Sequence, residues 1–168
     1  VGAMWERGEI SVAREHLASA LVNRIMAVQY IELMESPEQS KGKAVVTAGA
    51  NEFHEIGATM VANALEADGW EITFLGANTP SEALLEYVSA GEFDMVAVSV
   101  TIAFNLESIQ NVIRAIRAWP EERQPKIMIG GQAFAVYPEL AQKLGADGLA
   151  QSPEQAVALA DQWRKAIL

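Results

Sequence analysis

Residues 44–75 read AVVTAGANEFHEIGATMVANALEADGWEITFL, and the spacing of the apolar residues changes twice within them. Residues 44–47 form a short run of strand-forming side chains. Ile56, Met60, Val61, Ala64 and Leu65 then recur near every 3.6 residues, the period of one helical face, over residues 54–68. Asp68-Gly69 supplies a helix stop, and residues 71–75 return to an extended pattern.

The same alternation continues to the end of the chain. Further strands are expected at 95–100, 126–129 and 148–150, with helices near 81–90, 106–119, 138–144 and 153–167. In the second of these helices Leu106, Ile109, Val112, Ile113 and Ile116 again lie on one face. Repeated βα units of this length imply an α/β fold: a doubly wound, five-stranded parallel sheet of flavodoxin or Rossmann type, with helices on both faces. Such sheets bind ligands at the carboxyl ends of their strands, beside the point where strand order reverses. The loops after the first, third and fourth strands are therefore where chemistry is expected.

Working outward toward the N-terminus, residues 11–35 read as one long helix. Leu17, Leu21, Ile25 and Val28 share a face, while Ile10, Val22, Met26, Ile31 and Leu33 spread beyond it. A helix apolar on several sides needs partners on several sides, which points to further helices, a homo-oligomer or a fused effector domain. Residues 36–42, SPEQSKG, are a polar linker. The expected organisation is a partial helical cap at 1–35, the linker at 36–42 and the sheet domain at 43–168.

Composition removes several function classes. The chain has 168 residues, 51% of them apolar, enough for a core without disulfides. It has no cysteine, which excludes thiolate metal sites and dithiol redox chemistry and fits a cytoplasmic setting. With 12 Lys and Arg against 22 Asp and Glu, the formal charge is −10, so this segment is not expected to bind nucleic acid directly. No apolar run reaches the roughly 20 residues that a bilayer requires, so no membrane association is expected.

The loop after the first strand, TAGANEFHEIG at 47–57, lacks a G-x-G-x-x-G or Walker A pattern. It carries instead His54, one of only 2 histidines, with Glu52 two residues before and Gly57 three residues after. Neutral imidazole is a good ligand for a transition metal, and a carboxylate on its other nitrogen fixes the tautomer. A glycine at the helix start leaves room for a large group to approach. The plainer alternative is that Glu52 and His54 merely decorate a helix N-terminus.

Glu52-x-His54-x-x-Gly57 resembles the D/E-x-H-x-x-G motif of base-off, His-on cobalamin (vitamin B12)-binding domains. Ser99-Val100-Thr101 after the third strand and Gly130-Gly131-Gln132 after the fourth are similar to that family's serine and Gly-Gly segments. The resemblance spans residues 43–168. It implies that His54 is the lower axial ligand of cobalt and that Glu52 hydrogen-bonds it. It also implies that Phe53, Ile56 and Gly57 lie against the corrin, and that Ser99, Thr101, Gly130, Gly131 and Gln132 flank the slot for the nucleotide tail. The implied cofactor is adenosylcobalamin or methylcobalamin.

Upstream, Trp5 is followed by Glu15-His16, which resembles the Trp-x9-Glu-His signature of B12-dependent photoreceptors of the CarH/LitR type. In that family a helical bundle caps the upper corrin face, and the tryptophan and glutamate contact the upper ligand. This implies the same placement for Trp5, Glu15 and His16; read from the residues alone, they are equally a core aromatic and an exposed helix face. His54-Glu55-Ile56-Gly57-Ala58 also looks like the photoreceptor branch, since methyl-carrying relatives more often read His-Asp-x-Gly-Lys. One departure is Glu6, where the best-known photoreceptors have a histidine that captures cobalt after photolysis; here water or His16 is expected above the metal instead. The expected function is a non-enzymatic, cobalamin-binding light sensor acting in transcription regulation. A corrinoid methyl-carrier subunit is the alternative, and a nucleotide- or flavin-binding domain is a more remote one.

Overall fold

The computed structural model describes residues 1–33, 40–135 and 137–167. The chain divides into two compact units, Val1–Glu35 and Ser36–Leu168. Most of the expected linker, at 36–39, and the end of the expected long helix, at 34–35, lie outside the described residues.

The first unit contains two helices, α1 (Gly2–Glu6) and α2 (Val12–Leu33). Gly8, at φ +70°, turns the chain between them. Along α2, Leu17, Leu21, Ile25 and Val28 are all exposed.

The second unit is built on five strands: β1 (Lys43–Ala48), β2 (Glu71–Phe74), β3 (Met95–Ser99), β4 (Lys126–Gly130) and β5 (Gly148–Ala150). All neighbouring pairs are parallel, in the order β2-β1-β3-β4-β5. This is the expected doubly wound fold. β1 and β3 are adjacent, and the chain leaves β1 toward one edge and β3 toward the other. The crevice between their carboxyl ends is thus the switch point.

Alternation along the strands sorts the core into two layers. Val45, Val96, Val98, Ile127 and Ile129 face one cluster with α4 (Ser81–Ala90), α5 (Leu106–Arg117) and α6 (Leu140–Leu144), completed by Phe134. Ala44, Val46, Met95, Ala97 and Met128 face the other, with α3 (Ile56–Ala67) and α7 (Pro153–Ile167).

Helix α5 buries Ile109, Val112, Ile113 and Ile116, the face its sequence pattern announces. Helix α3 differs from expectation. It begins at Ile56, so His54 lies in the loop before it, and it buries Ala58, Ala62 and Leu65. Met60, expected on the core face, is 46% exposed. Alanines let the helix axis approach the sheet closely, which rotates the larger apolar residues aside. Short 3-10 turns at Ala103–Asn105, Glu121–Arg123 and Gln132–Phe134 also lie outside the sequence expectation. No helix among the described residues is long and apolar enough to cross a membrane.

Candidate functional site

The loop between β1 and α3 crosses the switch point, and residues from two other loops hold it there. Asn51 has φ +60°, a left-handed conformation that asparagine tolerates better than most residues. Its N–H donates to Asn78 Oδ1 at 2.9 Å, and its carbonyl accepts from Asn105 Nδ2 at 3.2 Å. Asn78, itself at φ +53°, donates its own N–H to the Glu52 carbonyl at 2.8 Å. Consecutive peptide groups are therefore fixed by the loop after β2 and by the turn before α5. Asn105 is buried to do so.

Glu52 is fully buried. Its carboxylate accepts from the backbone N–H of Thr101 at 2.6 Å and Ile102 at 3.0 Å, both just after β3. The other oxygen accepts from the N–H of His54 at 3.2 Å and pairs with His54 Nδ1 at 2.5 Å. Burial pushes the Glu52 carboxyl up. The hydrogen bonds from the His54 ring and from the N–H groups of Thr101, Ile102 and His54 more than offset this, leaving it below the usual carboxylate value. An ionised carboxylate only accepts, so Nδ1 is the donor of this pair and Nε2 is the ring nitrogen left outside it. The His54 side chain is 62% exposed.

A slot of about 260 Å³ lies on the α3/α7 side of the sheet and reaches Gly57, three residues after His54. Gly57, Ala58, Met60 and Val61 of α3 form one wall. Ala97, Ser99, Met128, Gly130 and Gly131 form the floor, and Gln151, Ser152 and Pro153 close the far side. A Cβ at Gly57 would meet nothing within 4 Å. The Gly-Gly pair answers first to the backbone: a Cβ on Gly130 would lie 2.4 Å from the Ala150 carbonyl oxygen. Gly131 has φ +101°, and its Cβ would lie 2.3 Å from the Val100 carbonyl oxygen. These glycines bring strands and loops close together, which is a second reason for their smallness beside keeping the slot clear.

The structure brings Glu52, His54 and Thr101 into direct contact and places Gly57, Ser99, Gly130 and Gly131 around one slot. Phe53, 72% exposed, flanks His54 in the chain, as the half-buried Ile56 does at the start of α3. Gln132 is exposed on the turn after β4. Trp5, Glu15 and His16 belong to the first unit. There Glu15 accepts from Ser19 Oγ at 2.7 Å and pairs with His16 Nδ1 at 2.8 Å, while Trp5 is 48% exposed. Asn51, Asn78, Asn105 and Ile102 were missed from sequence. Only the turn-rich run GANTP at 76–80 hinted at a structured loop.

A model described as the B12 binding domain matches residues 42–160, and a second B12 binding domain model matches residues 1–29. The chain belongs to the B12-binding domain family. Its cofactor is a cobalamin. Among curated relatives of this B12-binding chain, the HTH-type transcriptional repressor CarA of Myxococcus xanthus is 32% identical over 161 residues, 94% of this chain. The chain spans only 53% of that repressor's length. Dimethylamine corrinoid protein 3 of Methanosarcina acetivorans is 26% identical, covering 95% of this chain and 74% of its own length. The solved monomethylamine corrinoid protein of Methanosarcina barkeri shares the fold, with a TM-score of 0.84 at 21% identity, over 96% of this chain and 76% of that one.

Proposed function

We propose that this chain is a light-sensing cobalamin module in which His54 Nε2 is the lower ligand of cobalt. The observation that carries this reading is the Glu52–His54 pair: a buried carboxylate holds Nδ1 of a largely exposed imidazole at the switch point, leaving Nε2 as the nitrogen for a metal. When bound, the cofactor supplies a weak cobalt–carbon bond that visible light cleaves if its upper ligand is adenosyl or methyl. Phe53, Ile56 and Gly57 support the corrin from below. Ser99, Thr101, Gly130, Gly131 and Gln132 border the slot that takes the displaced nucleotide tail. Residues 1–35 supply the cap, with Trp5, Glu15 and His16 toward the upper ligand, joined through the linker at 36–42 to the cobalamin domain at 43–168. Trp5 shields that ligand from water, and losing its packing partner there shifts the cap between two arrangements. The shift would be read as a change in oligomeric state or by a fused effector, in a cytoplasmic setting. Neither unit needs a catalytic residue for this.

The sensor reading draws support from the Trp5, Glu15 and His16 signature, from Ala58 after Gly57, and from similarity to the CarA repressor along 94% of the chain. The test is an absorbance spectrum with adenosylcobalamin in the dark and after green light, beside His54→Ala. A His-on spectrum that changes irreversibly with light and is lost in the variant is expected. A spectrum that responds no more than free cofactor overturns the sensor.

A second reading, the methyl-carrier subunit, is favoured by similarity to dimethylamine corrinoid proteins over 95% of the chain and about three quarters of their length. Cobalt-bound methyl passed to a thiol by added methyltransferase partners would select it.

A further inference from the structure

We infer that Ser19 is a positioning residue for Glu15, and that with its help Glu15 selects an adenosyl upper ligand over methyl. This rests on the reading that Glu15 faces the upper ligand of the cobalamin.

Helix α2 carries two unlike stripes. Leu17, Leu21, Ile25 and Val28 are exposed along one side. Along another, Glu15, Ser19, Asn23, Met26 and Tyr30 are half-buried and recur at spacings of four or three, one helical face. The first three of these are polar, so the start of α2 presents hydrogen-bonding groups on this face.

A serine inside a helix can turn its hydroxyl back to the carbonyl four residues earlier. Ser19 bonds instead to the side chain of that earlier residue, donating to Glu15 Oε1 at 2.7 Å. The other carboxylate oxygen, Oε2, pairs with His16 Nδ1 at 2.8 Å. One carboxylate is thus held at both oxygens by its own helix, and its side chain is 25% exposed. Glu15 also lies in the first turn of α2, where a negative charge suits the helix N-terminus. That service alone would not require a fixed rotamer. Fixing the carboxylate costs side-chain freedom before any ligand arrives, so a ligand that bonds to it loses less on binding.

Each oxygen of an ionised carboxylate has room for more than one donor, and the group only accepts. A methyl ligand has no donor to offer. An adenosyl ligand carries a ribose diol and an adenine amine, so it can complete the set with the stronger, charge-assisted kind of hydrogen bond.

The test is a set of absorbance titrations of the full chain in the dark with adenosylcobalamin and with methylcobalamin. Wild type is compared with Ser19→Ala, Ser19→Thr and Glu15→Ala. The expected result is tighter binding of adenosylcobalamin, a preference that Ser19→Ala lowers by about fivefold through the adenosyl form alone. Ser19→Thr keeps a hydroxyl and should retain the preference, and Glu15→Ala should lower it at least as far as Ser19→Ala does. A preference that Glu15→Ala lowers and Ser19→Ala leaves intact overturns the role of Ser19 while the placement of Glu15 stands. Equal weakening of both cobalamins by Ser19→Ala marks a general packing defect and overturns that role too. A wild type without the preference, or a preference that survives Glu15→Ala, overturns the placement of Glu15 itself and the inference with it.

Discussion

The two faces of the sheet are packed on different principles. The face under α4, α5 and α6 is filled with branched and aromatic side chains: Val96, Val98, Ile109, Ile113, Ile127, Ile129 and Phe134, all essentially inaccessible. The face under α3 and α7 is built largely from Ala44, Ala58, Ala62, Ala97, Ala150, Ala156 and Ala160, with Val46, Leu65, Trp70, Met95 and Met128 among them. The same sheet thus carries a filled layer and a layer of small residues, and the slot lies in the second. Alanine there brings helices close at one end and leaves a gap at the other. Branched and aromatic bulk is concentrated on one face, and room for a ligand on the other.

The largest expected effect comes from emptying the filled layer. Phe134→Ala should cost about 3–5 kcal/mol, read as a lowered urea midpoint at constant m-value. On the slot side, Met60→Ala should cost less than about 1 kcal/mol, because that side chain is 46% exposed already. Equal losses at the two positions would erase the contrast.

Next comes the clamp on the His54 loop. Asn105→Ala removes the donor to the Asn51 carbonyl and should cost about 1–3 kcal/mol. Its cobalamin complex should show a reduced His-on band, which a remote packing defect would leave intact.

A smaller effect is expected where α3 and α7 are stapled. Lys41 Nζ bridges Asp68 at 2.7 Å and Asp161 at 2.8 Å, tying the end of α3 to α7. Burial lowers the Lys41 pKa, but its hydrogen bonds to Asp161 and Asp68 and their charges more than offset this, so it is raised above 10.5. A raised lysine pKa stabilises the fold fully below the unfolded value and loses that contribution as pH rises through the folded one. Lys41→Met should therefore cost about 1 kcal/mol at neutral pH. The gap to wild type should narrow above pH 10.5, measured by thermal melts across pH.

The smallest effect on stability belongs to Gly57→Leu. A Cβ added there would meet nothing within 4 Å, so the melting temperature should stay within a few degrees of wild type. Cobalamin binding should nevertheless be lost, by titration. A variant that binds normally would move the corrin away from this helix start.

Much of this contrast was legible in the sequence, though unevenly. The filled layer announces itself because large apolar residues set a clear period, as in α5. The slot side does not, because alanines count as apolar without showing which face they occupy; in α3 Met60 was expected inside and lies outside. The Glu52–His54 pair was legible because its spacing is local. The asparagine clamp was not, since Asn51, Asn78 and Asn105 come from three loops and meet only when the sheet forms.

That clamp has a kinetic consequence. A loop whose successive peptide groups are already hydrogen-bonded has little left to order when a ligand arrives, so binding gives up little chain entropy there. On the His-on reading, the slow event in loading is then the departure of the cofactor's own base from cobalt, not a rearrangement of the protein. Association should saturate at a rate independent of mutations in the loop, yet sensitive to pH low enough to protonate the departing base.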